Sequence, residues 1–322
     1  MVKDTIIFAL TSSTDLARKI ADNLKLPLGE IKVDHFADGE ILVTPQETVR
    51  GRSVFVIQST CPPVTERLME VLVCIDALRR ASAREINVIM PYYGYARQDR
   101  KASPRQPITA KLVADLITTA GADRIVTVDL HAAQIQGFFN IPMDDLTAIP
   151  LLSYYFTGKE FKGKDLVVVS PDHGGVVRAR RMAEILDAPI AIVDKRRPRA
   201  NEVEAKNVIG DINGKTCIVV DDICDTAGSL IAACQILKDH GAGEIYTAIT
   251  HGVFSRDALE KIEASVIKKM VVTDTIPLPE NASERTTKIR QVSIADMVAD
   301  TIEAIYEHKS VAKVYTRYSV KK

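Results

Sequence analysis

Fifteen residues, Thr216 to Leu230 (TCIVVDDICDTAGSL), constrain this chain more than any other stretch. An apolar, β-branched run from Cys217 to Val220 reads as a buried parallel strand. Asp221 and Asp222 follow at once, then small and hydroxylic residues from Asp225 to Ser229, and a helical apolar pattern from Leu230. In open α/β sheets, ligands bind at the carboxyl ends of strands. A Thr/Gly/Ser loop opening a helix offers unpaired N–H groups and the positive end of a dipole, which suits phosphate. The two carboxylates would repel a phosphate and suit hydroxyl groups or a metal instead. Phosphate at one end and hydroxyls at the other describe a sugar phosphate.

The rest of the chain repeats this strand–loop–helix grammar. Strands are expected at Thr5–Leu10, Ser53–Gln58, Ile86–Met90 and Arg124–Leu130, with helices at Thr14–Leu24, Thr65–Arg80 and Thr109–Ala120. Ile31–Phe36 and Glu40–Thr44 flank the turn Ala37-Asp38-Gly39. The order then restarts: strands at Asp165–Ser170, Ile190–Val193, Cys217–Val220, Ile245–Thr250 and Met270–Thr273, with a helix at Gly175–Leu186, one ending at Asp239, and others at Arg256–Ala264 and Ile294–Glu307. A charged loop is expected from Asp194 to Lys206. The segments beginning at Ser53 and at Thr216 share one element order, a distant internal repeat. The expectation is an α/β fold of two tandem domains, 1–146 and 147–322, each a mostly parallel sheet flanked by helices with right-handed crossovers.

Composition removes several function classes. The 322 residues carry a formal net charge of +0 and no Trp, so neither bulk attraction nor stacking platforms favour nucleic acid. No apolar run approaches the ~20 residues that span a bilayer, and the first residues lack the features of a signal peptide. The five cysteines show no zinc spacing and read as reduced core residues of a cytoplasmic protein. Neither GxxxxGK[ST] nor GxGxxG occurs, so the two commonest nucleotide loops are absent.

The stretch from Thr216 resembles the phosphoribosyl-diphosphate motif of the type I phosphoribosyltransferase fold. Further segments narrow the resemblance: Phe36-Ala37-Asp38-Gly39-Glu40, the loop from Pro91 to Lys101, Asp129-Leu130-His131 leading to Gln134 through Phe139, Ser170-Pro171-Asp172 before Gly174-Gly175, and Lys195-Arg196-Arg197-Pro198-Arg199. Together, from Phe8 to Ser310, they resemble the class I ribose-phosphate diphosphokinases (phosphoribosyl-diphosphate synthetases).

That resemblance implies transfer of the diphosphoryl group of ATP to the anomeric hydroxyl of ribose 5-phosphate, with Mg²⁺ required. It assigns Lys195 and Arg197 to catalysis, with Arg197 also near the sugar phosphate. It assigns Asp221, Asp222, Asp225, Thr226, Ala227, Gly228 and Ser229 to ribose 5-phosphate, and Phe36, Asp38, Gly39, Glu40, Arg97 and Gln98 to ATP. His131 and Asp172 are the implied metal-site residues, although an imidazole suits a hard cation less well than a carboxylate. His173, beside Asp172, is expected to face solvent. Thr48, Arg50, Ser82 and Ser310 match a regulatory site for phosphate and ADP, and the implied assembly is a homohexamer. Asn140 departs from the family, which usually carries Asp after the paired Phe. Two other readings share parts of this pattern: a phosphoribosyltransferase, which would not need the Lys195 loop or the Arg97-Gln98 region, and a non-catalytic synthetase-associated subunit, which would have lost one of the two loops that are intact here.

Overall fold

A computed structural model describes residues 4–196 and 205–318. The chain divides into two compact units. One comprises Met1–Thr147 with Thr275–Pro277 and Ser293–Val314; the other comprises Ala148–Asp274, Leu278–Val292 and Tyr315–Lys322. The sequence suggests a single break between 146 and 147, whereas the chain also returns to the first unit near its end.

The first unit contains β1 (Thr5–Ala9), α1 (Thr14–Leu24), β2 (Ile31–His35), β3 (Ile41–Pro45), β4 (Ser53–Ile57), α2 (Val64–Arg80), β5 (Glu85–Ile89), α3 (Thr109–Ala120), β6 (Arg124–Val128) and β7 (Met143–Leu146). Five of these strands form a parallel sheet in the order β1-β4-β5-β6-β7. Every residue of the interior strand β4 is buried, and residues 54–57 are apolar on both faces, as a sheet covered on both sides requires. Strands β2 and β3 form a separate antiparallel hairpin, and β3 packs against α2. Phe8, fully buried in β1, belongs to a core with Leu68, Val71, Ile75 and Leu78 of α2.

The second unit runs α4 (Ile149–Tyr155), β8 (Leu166–Ser170), α5 (Val176–Leu186), β9 (Ile190–Arg196), β10 (Ala205–Ile209), β11 (Thr216–Cys224), α6 (Gly228–Asp239), β12 (Ile245–Gly252), α7 (Ala258–Ala264), β13 (Lys269–Thr273), α8 (Ala282–Arg285) and β14 (Ile289–Val292). Its sheet has the order β10-β9-β8-β11-β12-β13-β14, parallel except for β10. The last long helix, α9 (Ala295–Tyr306), belongs to the first unit and packs on α1.

The two sheets repeat one register. Thr5 pairs with Ser53 as Leu166 pairs with Thr216. Val54 pairs with Ile86 as Cys217 pairs with Ile245. Asn87 pairs with Arg124 as Tyr246 pairs with Lys269, and Ile125 pairs with Met143 as Met270 pairs with Ile289. In each unit a hairpin follows the first helix and precedes the central strand: β2–β3 in one, β9–β10 in the other. The internal repeat seen in the sequence is therefore a duplication of the whole five-strand frame.

The sequence pattern does not show β7, β10, β14, α4 or α8. Strand β7 reads MDDL, with two residues depleted in strands. It forms because Arg124 Nη1 donates to Asp144 Oδ2 at 2.6 Å, while Asp145 Oδ1 accepts from Thr127 Oγ1 at 3.0 Å and from the Leu130 N–H at 3.2 Å.

Phe8→Ala should lower the unfolding free energy by about 3–5 kcal/mol, the usual range for emptying a buried aromatic site. Denaturant titration of the variant against the parent measures it.

Candidate active site

Strand β11 continues four residues beyond the apolar run, through Cys224, and pairs with β12 as far as Cys224 and Gly252. Asp221 and Asp222, expected directly after the strand, therefore sit on the last pleats of a central strand. Asp222 is buried and Asp221 half-buried. Two such neighbours repel, and a cation from the adjacent element answers them. Arg178, in the first turn of α5, places Nη1 3.1 Å from Asp221 Oδ1 and Nη2 3.3 Å from Asp222 Oδ1. The Asp222 N–H also donates to Asp221 Oδ1 at 2.9 Å. Burial, and then the Asp222 charge, push the Asp221 carboxyl up to about 7, with Arg178 opposing the rise.

The turn after β11 contains only Asp225, Thr226 and Ala227. Ala227 takes a left-handed conformation at φ 60°, and α6 begins at Gly228, two residues before the expected start. The first intrahelical bond runs from the Ile231 N–H to Ala227 O at 2.9 Å. The N–H groups of Gly228, Ser229 and Leu230 thus belong to the turn that has no intrahelical acceptors. Thr226, Gly228 and Ser229 are exposed. The Ser255 N–H bonds Asp225 O at 3.0 Å, and the Val253 and Phe254 N–H groups bond Cys224 O, so the end of β12 holds the turn in shape. The start of α6 therefore follows directly on the strand that carries the two carboxylates.

Asp172 lies in the loop between β8 and α5. It is exposed, and its Oδ1 accepts the Gly175 N–H at 3.0 Å. Gly175 has no room for a side chain, since a Cβ would stand 2.8 Å from Ser170 Oγ, itself bonded to Asp172 O at 2.7 Å. An exposed carboxylate on a braced loop suits Mg²⁺, which binds through one or two carboxylates with waters and substrate phosphates. Among the described residues no group of three or more His, Cys, Asp or Glu could hold a metal alone. His131 is exposed in the first unit, and its imidazole suits a hard cation poorly. His173 is exposed but does not simply face solvent: its Nε2 lies 3.0 Å from Asp194 Oδ1, and Asp194 is buried in β9. Strand β9 continues through Arg196, so Lys195 lies on a strand, paired with Lys206 of β10, and not in the expected loop. The side chain of Lys195, and Arg197 entirely, lie outside the described residues.

The first unit carries the predicted ATP residues. Phe36 is 55% exposed at the tip of the β2–β3 hairpin. That tip is fixed by Phe36 N–H to Glu40 O, Gly39 N–H to Phe36 O and Glu40 N–H to Asp38 Oδ1, with Gly39 at φ 95°, a conformation that favours glycine. In the next loop Tyr92, Tyr93 and Gly94 are buried while Arg97 and Gln98 are exposed. The Gln98 side chain accepts from Thr109 Oγ1 at 2.6 Å, at the start of α3. Asn140 is exposed, after Phe139 packed edge-on against Tyr93. Of the four residues expected at a regulatory site, Arg50 and Ser82 meet, Nη1 to Oγ at 3.0 Å. Thr48 is exposed. Ser310 lines a 260 Å³ cleft with Glu303, Glu307, Lys309 and Lys313, a lining that includes neither Arg50 nor Ser82.

The repeated register shows which unit kept the acids. Gln58 and Ser59 occupy in β4 the places that Asp221 and Asp222 hold in β11. Both are fully buried in a closed network: Gln58 Nε2 donates to Glu70 Oε2 at 2.6 Å, Ser12 Oγ donates to Gln58 Oε1 at 2.8 Å, and the Ser59 N–H donates to Ser13 Oγ at 2.9 Å. Glu70 is itself buried and paired with Arg67 at 2.6 Å. In the first unit this position is filled by the protein's own hydrogen bonds. Arg178 is the site residue that sequence reading missed. It stands in the run Arg178-Ala179-Arg180-Arg181, which looks like a solvated charged face.

Comparison with known proteins agrees with this geometry. Residues 5–121 match the N-terminal domain of ribose phosphate pyrophosphokinase, and residues 169–316 match a phosphoribosyl synthetase-associated domain. The chain is 58% identical over 310 residues to a ribose-phosphate pyrophosphokinase of Caldanaerobacter subterraneus, covering 96% of this chain and 97% of the relative. It is 54% identical over 309 residues to that of Bacillus caldolyticus, covering 96% and 97%. The crystal structure of phosphoribosylpyrophosphate synthetase from Mycobacterium smegmatis superposes with a TM-score of 0.89 at 43% identity, over 95% of this chain and 100% of that one. At 58% identity over 96% of the chain, and with both family domains matched, the chain belongs to the ribose-phosphate pyrophosphokinase family.

Proposed function

We propose that this chain carries out its family's reaction with the two units in separate roles. The second unit holds ribose 5-phosphate, and the first supplies the ATP contacts. The anomeric hydroxyl oxygen attacks the β-phosphorus of ATP and releases its proton to water, the bond from that phosphorus to the oxygen it shares with the α-phosphorus breaks, and AMP leaves with that oxygen. The observation that carries this reading is the acid pair beside an anion-accepting helix end in β11–α6, combined with the absence of acids at the equivalent place in the first unit.

In this reading the N–H groups at the start of α6, with the hydroxyls of Thr226 and Ser229, bind the 5-phosphate. Asp222 and Asp221 accept hydrogen bonds from the ribose hydroxyls and set the angle of the anomeric oxygen. Phosphoryl transfer depends on positioning and on neutralising developing charge. Lys195 and Arg197 supply cations to the transferred group, and Arg97 pairs with ATP phosphates. Phe36, Asp38, Gly39 and Glu40 serve the adenine end, with Gln98 beside Arg97. Asp172 is the residue suited to hold Mg²⁺, which when bound offsets charge on the polyphosphate. His131 serves as a phosphate contact near that ion. The Arg50–Ser82 pair, with Thr48 and Ser310, forms the site for phosphate and ADP in a homohexamer. A cytoplasmic setting accords with five cysteines that are all buried and in no disulfide, and no helix among the described residues is long and apolar enough to cross a membrane.

Incubation with ATP, Mg²⁺ and ribose 5-phosphate should yield AMP in proportion to the sugar phosphate. AMP release that ignores the sugar would defeat the reading. Lys195→Ala should lower kcat by ~10²-fold or more, the scale of one lost transition-state contact. The KM for ribose 5-phosphate should fall as pH rises through about 7, because Asp221 must ionise to accept, and Asp221→Asn should remove that inflection. The second ionisation of the sugar phosphate, near pH ~6, would persist in both proteins. The stability linkage has the opposite sense. The folded Asp221 pKa is raised, so its contribution is full below the ordinary carboxylate range and is lost as pH rises through about 7. Arg50→Ala should abolish both phosphate activation and ADP inhibition in steady-state titrations while leaving turnover at saturating phosphate-free conditions intact.

A further inference from the structure

Adjacent aspartates on one strand direct their side chains to opposite faces of the sheet. A hydroxyl-binding pair needs both carboxylates presented to one ligand, and the strand alone does not supply that. Arg178 does. Its two terminal nitrogens reach one carboxylate each, Nη1 to Asp221 Oδ1 at 3.1 Å and Nη2 to Asp222 Oδ1 at 3.3 Å. The guanidinium therefore works as a bridge between two acids and not as the usual fork on one. It is built in at both ends. The Arg178 side chain is 19% exposed, and its backbone stands in the first turn of α5, directly after the loop braced by Ser170, Asp172 and Gly175. Asp221 Oδ1 is held by a second donor, the Asp222 N–H.

We propose that Arg178 is a positioning residue for ribose 5-phosphate: by bridging Asp221 and Asp222 it aims both carboxylates at the sugar hydroxyls and lets both carry charge side by side. It acts through the acids and leaves the transferred diphosphoryl group to other cations. The inference rests on the assignment of Asp221 and Asp222 to the sugar. A lysine at this position would keep the charge but not the bridge, because a single ammonium lacks two divergent, planar donors.

Steady-state kinetics of the full-length enzyme separate the possibilities. Arg178→Gln should raise the KM for ribose 5-phosphate about 10- to 100-fold, the scale of losing hydrogen bonds to charged groups. The KM for ATP should stay within about threefold. Arg178→Lys should fall between Gln and the parent, and it carries the same test should the Gln variant fail to fold by circular dichroism. The double variant Arg178→Gln with Asp221→Asn should raise the KM for the sugar phosphate by less than the product of the single effects, because both changes disable one device. A full product, an unchanged KM for the sugar phosphate in both Arg178 variants, or an equal rise for ATP would overturn the proposal. Asp221→Asn and Asp222→Asn measured alone decide the underlying assignment: if neither alters the sugar-phosphate KM, that assignment falls. If they raise it while the Arg178 variants do not, only the bridge falls.

Discussion

The groups assigned to ribose 5-phosphate hang from the carboxyl end of β11, a strand hydrogen-bonded to β8 on one side and β12 on the other. That pairing is the constraint on which the site depends. The run from Cys217 to Val220 is fully buried, so the strand cannot slide or turn over without exposing it. Fixing the apolar run fixes where the chain emerges, and so fixes Asp221, Asp222 and the start of α6. The neighbouring strands then complete the site from their own ends. The loop after β8 brings Asp172 and, through α5, Arg178; the residues after β12 bond back to Cys224 and Asp225.

The duplicated frame shows how one architecture supports two outcomes. Both units share one register through five strands, yet the equivalent positions at the end of the central strand hold two acids in one and Gln58 and Ser59 in the other. Burial is tolerable for the second pair because Ser12, Ser13 and Glu70 satisfy it. At the acid pair, Arg178 answers the charge. The hairpins diverge in the same way. One forms its own small sheet and presents the Phe36 turn; the other joins the main sheet through β9 and carries Lys195 and Arg196.

The fold was legible because buried parallel strands and amphipathic helices write strong local patterns. α1 and α3 were read at their observed bounds, and four strands of each frame within a few residues. Missed elements were edge strands and two short helices, where local composition is poor and neighbours decide. Strand β7 forms through Arg124 and Thr127, residues far from it in the chain. Within the site, Asp221 and Asp222 were legible as acids, but the strand was ended before them at Val220, since periodicity ends where charge begins while hydrogen bonding to β12 does not.

By itself the sequence determined the chemistry available: an anion-binding turn, a pair of acids, a basic segment and an α/β frame repeated twice. These follow from residue type and short-range spacing. Only the tertiary structure decided that Arg178, 43 residues away, bridges the two acids, that His173 reaches Asp194, that Phe36 stands exposed on its hairpin, and that the last helix returns to the first unit. Those facts depend on strand order. Parallel pairing sets β8 and β11 side by side, although a helix and a hairpin separate them in the chain, and no local pattern encodes which side chains then meet.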